Sequence, residues 1–378
     1  MQNNQKIPEG WSVKKVKELG RVVTGSTPSM ACPENYGGTF CWATAQDFSS
    51  KYISDTVVKL SEQGKNCSRI LPPGSVLITC IASLGLNAIT KVEMATNQQI
   101  NAIIPNKENN GEFIYYQISH NTNQLKRFAG AGGMMILTKG EFEKVPFIFP
   151  PLLEQEKIAG ILGTWDEAIE KLSGLIEQKK LLKKGLMQRL LTGKTRLPGF
   201  TQPWKEVKLG EIADLYQSQT ISQEMLVDTG YPVYGANGFI GYFHKCNHDT
   251  WQIMITCRGS TCGTVNRTSG PSWITGNAMV INCDTYEICK LFLYYKLLLE
   301  NFSSVISGSG QPQIVRSPLL KWKVNIPSDI SEQQAIADVL STADDEINLL
   351  NKKLEALKEQ KKGLMQQLLT GQIRVKVN

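Results

Sequence analysis

Two stretches of the chain carry apolar residues at intervals that alternate between four and three positions. In the first stretch these residues are Ile158, Leu162, Trp165, Ile169, Leu172 and Ile176, followed by Leu186 and Leu190. In the second they are Ile336, Leu340, Ala343, Ile347, Leu350, Leu354 and Leu357, followed after an interruption at Lys361 by Leu364 and Leu368. This heptad spacing predicts two long helices, each with a narrow apolar seam that needs a partner helix. About 40 residues would give a helix roughly 60 Å long.

The two stretches are copies of each other. Residues 154–196 align with residues 332–374 at a constant offset of 178 without a gap, and 22 of the 43 positions are identical. We predict that Ser331 caps the second helix and that Gly193 and Gly371 end the two helices, because these residue types favour those positions. The chain is therefore expected to contain two copies of one plan, a globular region followed by a long helix.

The globular regions are predicted to be mixed α/β. Short β-branched runs at Ser75–Thr79, Gln252–Thr256 and Met279–Asn282 predict strands, whereas Phe113–Ile118 and Lys290–Leu299 predict helices at corresponding places. We expect a first globular region at 1–150, a helix at 151–196, a second globular region at 197–328 and a second helix at 329–378. Each seam could pack on its own globular region, but two narrow, continuous seams favour a mutual coiled coil.

Composition narrows the class of protein. The 378 residues include 41 Lys+Arg and 34 Asp+Glu, and a net charge of +7 is compatible with a nucleic-acid partner without requiring one. No apolar run reaches the roughly 18–20 residues that span a bilayer, and the first residues lack the apolar stretch of a secretory signal. The nine cysteines are irregularly spaced, which argues against a disulfide framework or a four-cysteine zinc site. We expect a cytoplasmic protein with reduced thiols and no membrane contact.

Sequence motifs of catalysis are absent. The chain has no GxxxxGK[ST], HExxH or GxSxG motif. His244, Cys246 and His248 have a spacing that a metal could use, but a three-residue cluster on a predicted loop is more often ordinary polar sequence, so we predict no metal site. The glycine-rich segment 128–133 is similar to a cofactor loop of methyltransferases, yet it follows a predicted helix rather than a buried strand. We therefore expect no catalytic residue and no cofactor bound by this chain.

Polar side chains suited to DNA readout cluster among the predicted turns of both globular regions. Arg, Asn, Gln, Ser and Thr can bond to base edges, and apolar groups can contact the thymine methyl. Taken singly, each cluster could be ordinary turn chemistry, but their related positions in the two copies favour binding. The candidate DNA-binding residues are Thr44, Gln46, Arg69, Ser83, Asn87, Asn97, Gln98, Gln99, Tyr234, Asn237, Arg258, Ser260, Thr261, Asn277, Ser309, Gln311 and Gln313.

Taken together, these features resemble the specificity subunit of type I restriction-modification systems. The most specific parts are the duplicated segments that begin at Pro150 and Ile326 and end in KKGLMQRLLTG and KKGLMQQLLTG. Further similar stretches are residues 8–11, 233–241 and 308–313. The first region departs from the pattern at 129–135, where Gly-Ser-Gly-Gln-Pro would be expected.

The resemblance implies a role for each part. Each globular region would be a target recognition domain that reads one half of a bipartite double-stranded DNA site. The helices would form an antiparallel coiled coil that spaces the domains and docks two methylation subunits. Those subunits would bind S-adenosylmethionine and methylate adenine N6, and motor-nuclease subunits would join them for cleavage.

Three alternatives remain open from the sequence. One is the recognition subunit of a fused restriction-methylation enzyme similar to the type IIB enzymes. Another is a coiled-coil adaptor without DNA readout, and a third is a stand-alone methyltransferase.

Overall fold

The chain divides into two compact units. The computed structural model describes residues 7–130, 135–308 and 310–377. Unit 1 comprises residues 1–172 together with 353–378, and unit 2 comprises residues 173–352. Each unit therefore contains one globular region and a part of both long helices.

Unit 1 is built from short strands and short helices around a mixed sheet. Its helices are α1 (Val16–Leu19), α2 (Glu62–Asn66), α3 (Gly111–His120), α4 (Thr122–Phe128) and α5 (Lys139–Phe142). Its strands are β1 (Ser12–Lys15), β2 (Gly20–Thr24), β3 (Tyr36–Ala43), β4 (Tyr52–Ile53), β5 (Lys59–Leu60), β6 (Val76–Thr79), β7 (Asn87–Thr90), β8 (Ala95–Thr96), β9 (Ile100–Pro105) and β10 (Pro146–Phe149). They form sheets in the orders β2-β9-β6-β7-β4, β5-β3-β8 and β1-β10.

The first long helix, α6 (Leu152–Leu190), begins in unit 1 and ends in unit 2, and the second, α10 (Ile330–Leu369), begins in unit 2 and ends in unit 1. The short helices of unit 2 are α7 (Leu209–Ile212), α8 (Lys290–Leu298) and α9 (Arg316–Leu320). Its strands are β11 (Trp204–Lys208), β12 (Asp214–Gln217), β13 (Tyr231–Gly235), β14 (Gly238–Phe243), β15 (Ile253–Thr256), β16 (Val265–Arg267), β17 (Trp273–Ile274), β18 (Ala278–Asn282) and β19 (Lys323–Pro327).

The sheets of unit 2 repeat the plan of unit 1. Their orders are β12-β18-β15-β16, β14-β13-β17 and β11-β19. The central strands β6 and β15 are buried along their whole length, which explains their continuous apolar sequence. One face of each main sheet packs on a helix, α3 or α8, through the fully buried rings of Phe113 and Phe292. The predicted mixed α/β fold with two long helices is confirmed.

The predicted C-terminal ends of both long helices agree with the structure, whereas the predicted N-terminal cap of the second helix does not. Gly193 and Gly371 follow the last helical turns with φ of 71° and 70°, a conformation that favours glycine, so the predicted stops are confirmed. The prediction of a cap at Ser331 is wrong, because α10 already begins at Ile330. The Asp329 carboxylate instead accepts a hydrogen bond from the Ser331 amide at 2.8 Å. Among the described residues, no helix combines the length and apolar character needed to cross a membrane.

In unit 2 a buried ion pair joins the start of α10 to the segment that follows α6. Glu332 is 0% exposed, and its carboxylate accepts two bonds from the Arg196 guanidinium at 2.5 and 2.6 Å. The indole N–H of Trp204 donates to the same carboxylate at 3.4 Å. A buried carboxylate needs such partners, because burial removes the water that would otherwise stabilise its charge. The pair therefore fixes α6 and α10 antiparallel within unit 2.

Unit 1 repeats this pair with the roles of the long helices exchanged. Glu154, at the start of α6, accepts bonds from Arg374 at 2.7 and 2.8 Å and from the indole of Trp11 at 3.2 Å. The hydrogen bond to Glu154 raises the pKa of Arg374, as expected where a carboxylate stabilises the charged guanidinium. Arg374 also donates to the carbonyl of Glu9 at 2.7 Å. Arg374 and Trp11 thus correspond to Arg196 and Trp204 in unit 2.

The glutamine that follows each buried glutamate joins its long helix to the globular region. Gln155 accepts a bond from the Asn110 amide at 2.9 Å and donates to the carbonyl of Pro150 at 2.9 Å. Gln333 likewise accepts from the Cys289 amide at 2.9 Å and donates to the carbonyl of Pro327 at 2.9 Å. Asn110 and Cys289 are the residues that precede α3 and α8, so these glutamines hold the same corner in both units.

The interruption of the heptad seam at Lys361 has a structural reason. The Lys361 ammonium pairs with Asp166 of α6, and the Tyr116 hydroxyl of α3 donates to the same carboxylate. Lys51 adds a second cation, with its Nζ 2.7 Å from the Tyr116 hydroxyl, 3.0 Å from Glu112 and 3.6 Å from Asp166. Burial, followed by the bond to Asp166, raises the pKa of Tyr116 well above its ordinary value of 10.0.

The same three-residue cluster recurs in unit 2. Asp344 of α10 accepts a bond from the Tyr295 hydroxyl of α8 at 2.7 Å and pairs with Lys183 of α6. Burial, followed by the bond to Asp344, raises the pKa of Tyr295. In each unit one tyrosine therefore ties the globular region to both long helices. The other predicted seam residues are buried or half-buried along α6 and α10.

We predict that Glu332→Gln lowers the free energy of unfolding by about 2–3 kcal/mol, because it leaves a partly buried guanidinium without its carboxylate. Urea unfolding followed by circular dichroism would measure this. The control is Glu206→Gln, which removes an equally short pair with Lys323 on exposed side chains and should leave the unfolding curve unchanged. Equal effects of the two variants would contradict the structural role of Glu332.

The raised tyrosine pKa values predict a loss of stability in alkali. A group whose pKa is higher in the folded state contributes stability below its unfolded pKa, and this contribution is lost as pH rises. Between pH 9 and 11 the free energy of unfolding should fall, and it should fall less steeply in Tyr116→Phe and Tyr295→Phe. Tyr231→Phe, at an exposed ring, should retain the wild-type slope. Identical slopes in all variants would refute the assignment.

Candidate functional site

In unit 2, several loops meet at the edge of the main sheet where β15 ends. The Cys257 amide donates to the carbonyl of Asn277 at 3.2 Å, and the Cys257 carbonyl accepts from the Ile314 amide at 2.9 Å. The Gly259 amide donates to the carbonyl of Pro312 at 3.0 Å. Three segments that are distant in sequence, around residues 258, 277 and 312, thus form one surface.

Unit 1 has the same arrangement where β6 ends. The Cys80 amide donates to the carbonyl of Gln99 at 2.8 Å, and the Cys80 carbonyl accepts from the Leu137 amide at 2.9 Å. Burial raises the pKa of both Cys80 and Cys257 to about 11. A thiol in this state is a poor nucleophile, so the two cysteines serve to hold the loops together rather than to react.

A further loop joins this edge in each unit, directly after β3 or β13. The Asn97 amide donates to the carbonyl of Ala43 at 3.1 Å, and the Thr275 amide donates to the carbonyl of Tyr234 at 2.9 Å. The two loops are therefore equivalent in position. We use "loop edge" for this convergence, which comprises residues 43–47, 80–83, 96–100 and 135–137 in unit 1 and residues 234–241, 257–261, 275–278 and 310–314 in unit 2.

The loop edge of unit 2 brings together most of the predicted DNA-binding residues of that half. Six of them have exposed side chains, namely Asn237, Arg258, Ser260, Asn277, Gln311 and Gln313. Tyr234 and Thr261 are half-buried. Ser309 lies outside the described residues. The surface therefore presents amide, hydroxyl and guanidinium groups side by side, and these are groups that can bond to base edges or phosphates.

The loop edge of unit 1 combines polar side chains with two exposed apolar ones, Met135 and Ile136. Ser83, Gln46, Gln98 and Gln99 are exposed, whereas Thr44 is half-buried and donates from its amide to Asp47 at 2.7 Å. The half-buried Asn97 uses its side-chain oxygen to accept the Gln99 amide at 3.1 Å. The glycine-rich segment 128–133, whose sequence is similar to a cofactor loop, lies outside the described residues from 131 onward.

Two further predicted residues of unit 1, Asn87 and Arg69, use their side chains to bond elements outside the loop edge. Asn87 donates to the carbonyl of Tyr115 at 2.7 Å and accepts from the Ser119 hydroxyl at 3.0 Å, so it binds α3. The exposed Arg69 donates to the carbonyl of Thr24 at 2.7 Å, which places its guanidinium at the end of β2. A DNA contact at either residue stays a prediction.

The His248 ring makes structural hydrogen bonds within unit 2. Its Nε2 lies 2.9 Å from the Tyr216 hydroxyl, its Nδ1 lies 2.6 Å from the Asn247 side-chain oxygen, and burial lowers its pKa. The Cys246 thiol faces Asp249 at 3.8 Å. Within the described ranges, no three His, Cys, Asp or Glu residues are arranged to hold a metal ion.

The aromatic residues of the β13–β14 hairpin lie outside the predicted set. Phe239 is exposed on the loop edge beside the predicted Tyr234 and Asn237, and the exposed Tyr242 follows it on β14. The Asn237-Gly238 pair between two apolar runs is a strong sequence signal for a tight hairpin, and it would have placed these side chains on a projecting element.

The chain matches a known protein family over most of its length. The family described as "Type I restriction modification DNA specificity domain" matches residues 8–179 and 201–359. The chain is 24% identical over 413 residues to the specificity subunit of the type I restriction enzyme MjaVIII of Methanocaldococcus jannaschii, covering 98% of this chain and 95% of that protein.

Two solved structures share the fold. The type I restriction-modification S subunit from M. genitalium superimposes with a TM-score of 0.67 at 17% identity, covering 97% of this chain and 98% of that one. A chain from a study of complex assembly and conformational transition of the type I R-M system gives a TM-score of 0.58 at 17% identity, covering 97% and 100%.

Proposed function

Since the chain belongs to the type I restriction-modification DNA specificity family and is a DNA sequence-specificity subunit, we propose that each unit reads one half of a bipartite target. The observation that supports this most is the duplicated loop edge. Cys80 and Cys257 hold equivalent loops, yet the exposed side chains on those loops differ between the two units. A shared scaffold with different surface groups is what two readers of unlike half-sites require.

We propose that the chain has no catalytic activity and binds no cofactor of its own. Two methylation subunits would supply S-adenosylmethionine and the adenine N6 chemistry, and motor-nuclease subunits would join them for cleavage. In support, the sequence lacks the catalytic motifs considered above, and burial raises the pKa of the two loop-edge thiols. The small net charge of +7 also fits DNA binding that is shared with partner subunits.

We also propose that the long helices dock the methylation subunits. In unit 2 they leave three leucines, Leu181, Leu182 and Leu349, more than half exposed, and Leu175 and Ile330 are exposed to a smaller extent. Exposed leucines of this kind are suited to a protein partner.

A domain exchange tests the assignment of half-sites. Ser12 of β1 is paired with Phe149 of β10. Replacing residues 12–149 by the corresponding region of a relative therefore places both junctions side by side at one end of this strand pair. Methylome sequencing of cells with the chimera and its methylation partner should show one altered half-sequence, with the other half and the gap retained.

The matched exchange is 204–327, whose ends are paired as Trp204↔Pro327 in β11 and β19. It should alter the opposite half-sequence. An unchanged target in either chimera, or a change in both halves, would contradict the proposal.

The long helices are further proposed to set the gap between the half-sites. Four helix-forming residues inserted just before Gly193 would add about 6 Å, which corresponds to about two base-pair steps of 3.4 Å. We expect the gap in the methylated sites to grow by one or two base pairs while both half-sequences stay the same. The control is a Gly-Ser insertion of the same length, which should broaden the gap rather than shift it. An altered half-sequence with the original gap would rule out this role.

A further inference from the structure

The β13–β14 hairpin of unit 2 projects an aromatic face at the loop edge. Its tight turn contains Gly238, whose φ of 110° favours glycine. The register pairs Tyr234 with Phe239 and shifts by one residue before Val233, which is paired with Gly241. Ile240 is therefore the extra residue of a bulge, and a bulge re-aims the side chains around it.

The bulge places three rings in contact. The centroids of Tyr234 and Phe239 are 6.4 Å apart at an interplanar angle of 76°, and those of Phe239 and Tyr242 are 5.1 Å apart at 68°. These edge-to-face contacts are favourable and hold Phe239 between two tyrosines. Phe239 is nevertheless 54% exposed, whereas Phe243 on the same strand is 3% exposed. The middle ring of the cluster is thus held in place with most of its surface in water.

The hairpin is fixed to the polar part of the loop edge. The Thr256 hydroxyl donates to the carbonyl of Ala236, and the Thr275 amide donates to the carbonyl of Tyr234 at 2.9 Å. The Tyr234 hydroxyl donates to the Ser269 hydroxyl at 3.0 Å. The aromatic face is therefore continuous with the segments that carry Arg258 and Asn277.

The equivalent place in unit 1 has a different chemistry. After Ala43, the counterpart of Tyr234, the chain forms a short 3-10 helix at Ala45–Asp47 and exposes Gln46. Unit 1 exposes apolar side chains on a different loop of its edge, at Met135 and Ile136, and these are aliphatic. Among the described residues, an exposed aromatic ring at the loop edge is therefore a feature of unit 2. The apolar group that DNA presents beside its polar base edges is the thymine methyl, and phenylalanine is among the side chains that contact it.

We propose that Phe239 is a specificity-determining residue that packs against a thymine methyl group in the half-site read by unit 2. This inference rests on the proposed function. Tyr234 and Tyr242 act as positioning residues that hold the ring. The polar neighbours Asn237 and Arg258 supply hydrogen bonds to the same stretch of DNA.

Thymine-to-uracil substitution tests the proposal, because it removes the methyl group and keeps the base pairing. The full chain, co-expressed with its methylation subunit, is titrated with duplexes in which each thymine of the two half-sites is replaced in turn. In wild type, uracil at one position of the unit 2 half-site should weaken binding about three- to tenfold. Phe239→Ala should weaken binding to thymine DNA by a similar factor and remove the uracil penalty, whereas Phe239→Leu should retain part of it.

Matched controls separate the possible outcomes. Gln46→Ala should keep the uracil penalty in the unit 2 half-site and reduce affinity through the other half. Equal binding by Phe239→Ala and wild type, or an affinity loss that leaves the uracil penalty intact, would overturn the proposal. Loss of the methylation subunit from Phe239→Ala in the absence of DNA would also overturn it, since the face would then bind protein. If wild type itself failed to discriminate target from non-target DNA, the proposed function would fail instead.

Discussion

The structure depends on a buried carboxylate at the start of each long helix. Glu154 and Glu332 are buried away from water, so the charge of each carboxylate must be stabilised by hydrogen bonds from a guanidinium and an indole. In both units the arginine comes from the segment that follows the other long helix. This requirement fixes the antiparallel register within each unit. A heptad seam alone would set it less firmly, because leucines can slip by a heptad at modest cost.

A second duplicated cluster joins the long helices to the globular regions. Tyr116 and Tyr295 each donate to an aspartate on one long helix, and a lysine of the other helix balances that aspartate. The loop edges lie where the central strands β6 and β15 end, and backbone bonds through Cys80 and Cys257 hold the loops there. Because these anchors use backbone or buried groups, the exposed side chains are free to differ between the two units.

Much of the fold could be predicted from the sequence, because its signals are local or repeated. The heptad spacing and the offset of 178 predicted both long helices, and glycine chemistry predicted where they end. The partners of Lys361 could not be predicted, since the pairing with Asp166 joins residues 195 positions apart. The cap at Ser331 was mispredicted because the helix begins earlier in the sequence, where the Asp329 carboxylate accepts the amide of Ser331 itself. At the candidate site, residue types identified the polar loops, but the engagement of Asn87 by α3 and the exposure of Phe239 depend on tertiary contacts.

The composition of the two units has a consequence for synthesis on the ribosome. Unit 2 is one continuous run of residues, whereas unit 1 combines the first 172 residues with those from 353 onward. Glu154 therefore waits for Arg374, which is translated 220 residues later. At about 5–20 residues per second this delay is of the order of 10–45 seconds. The region that is made first is completed last, so a polypeptide that ends between residues 352 and 374 contains all of unit 2 but lacks the arginine partner of Glu154 in unit 1.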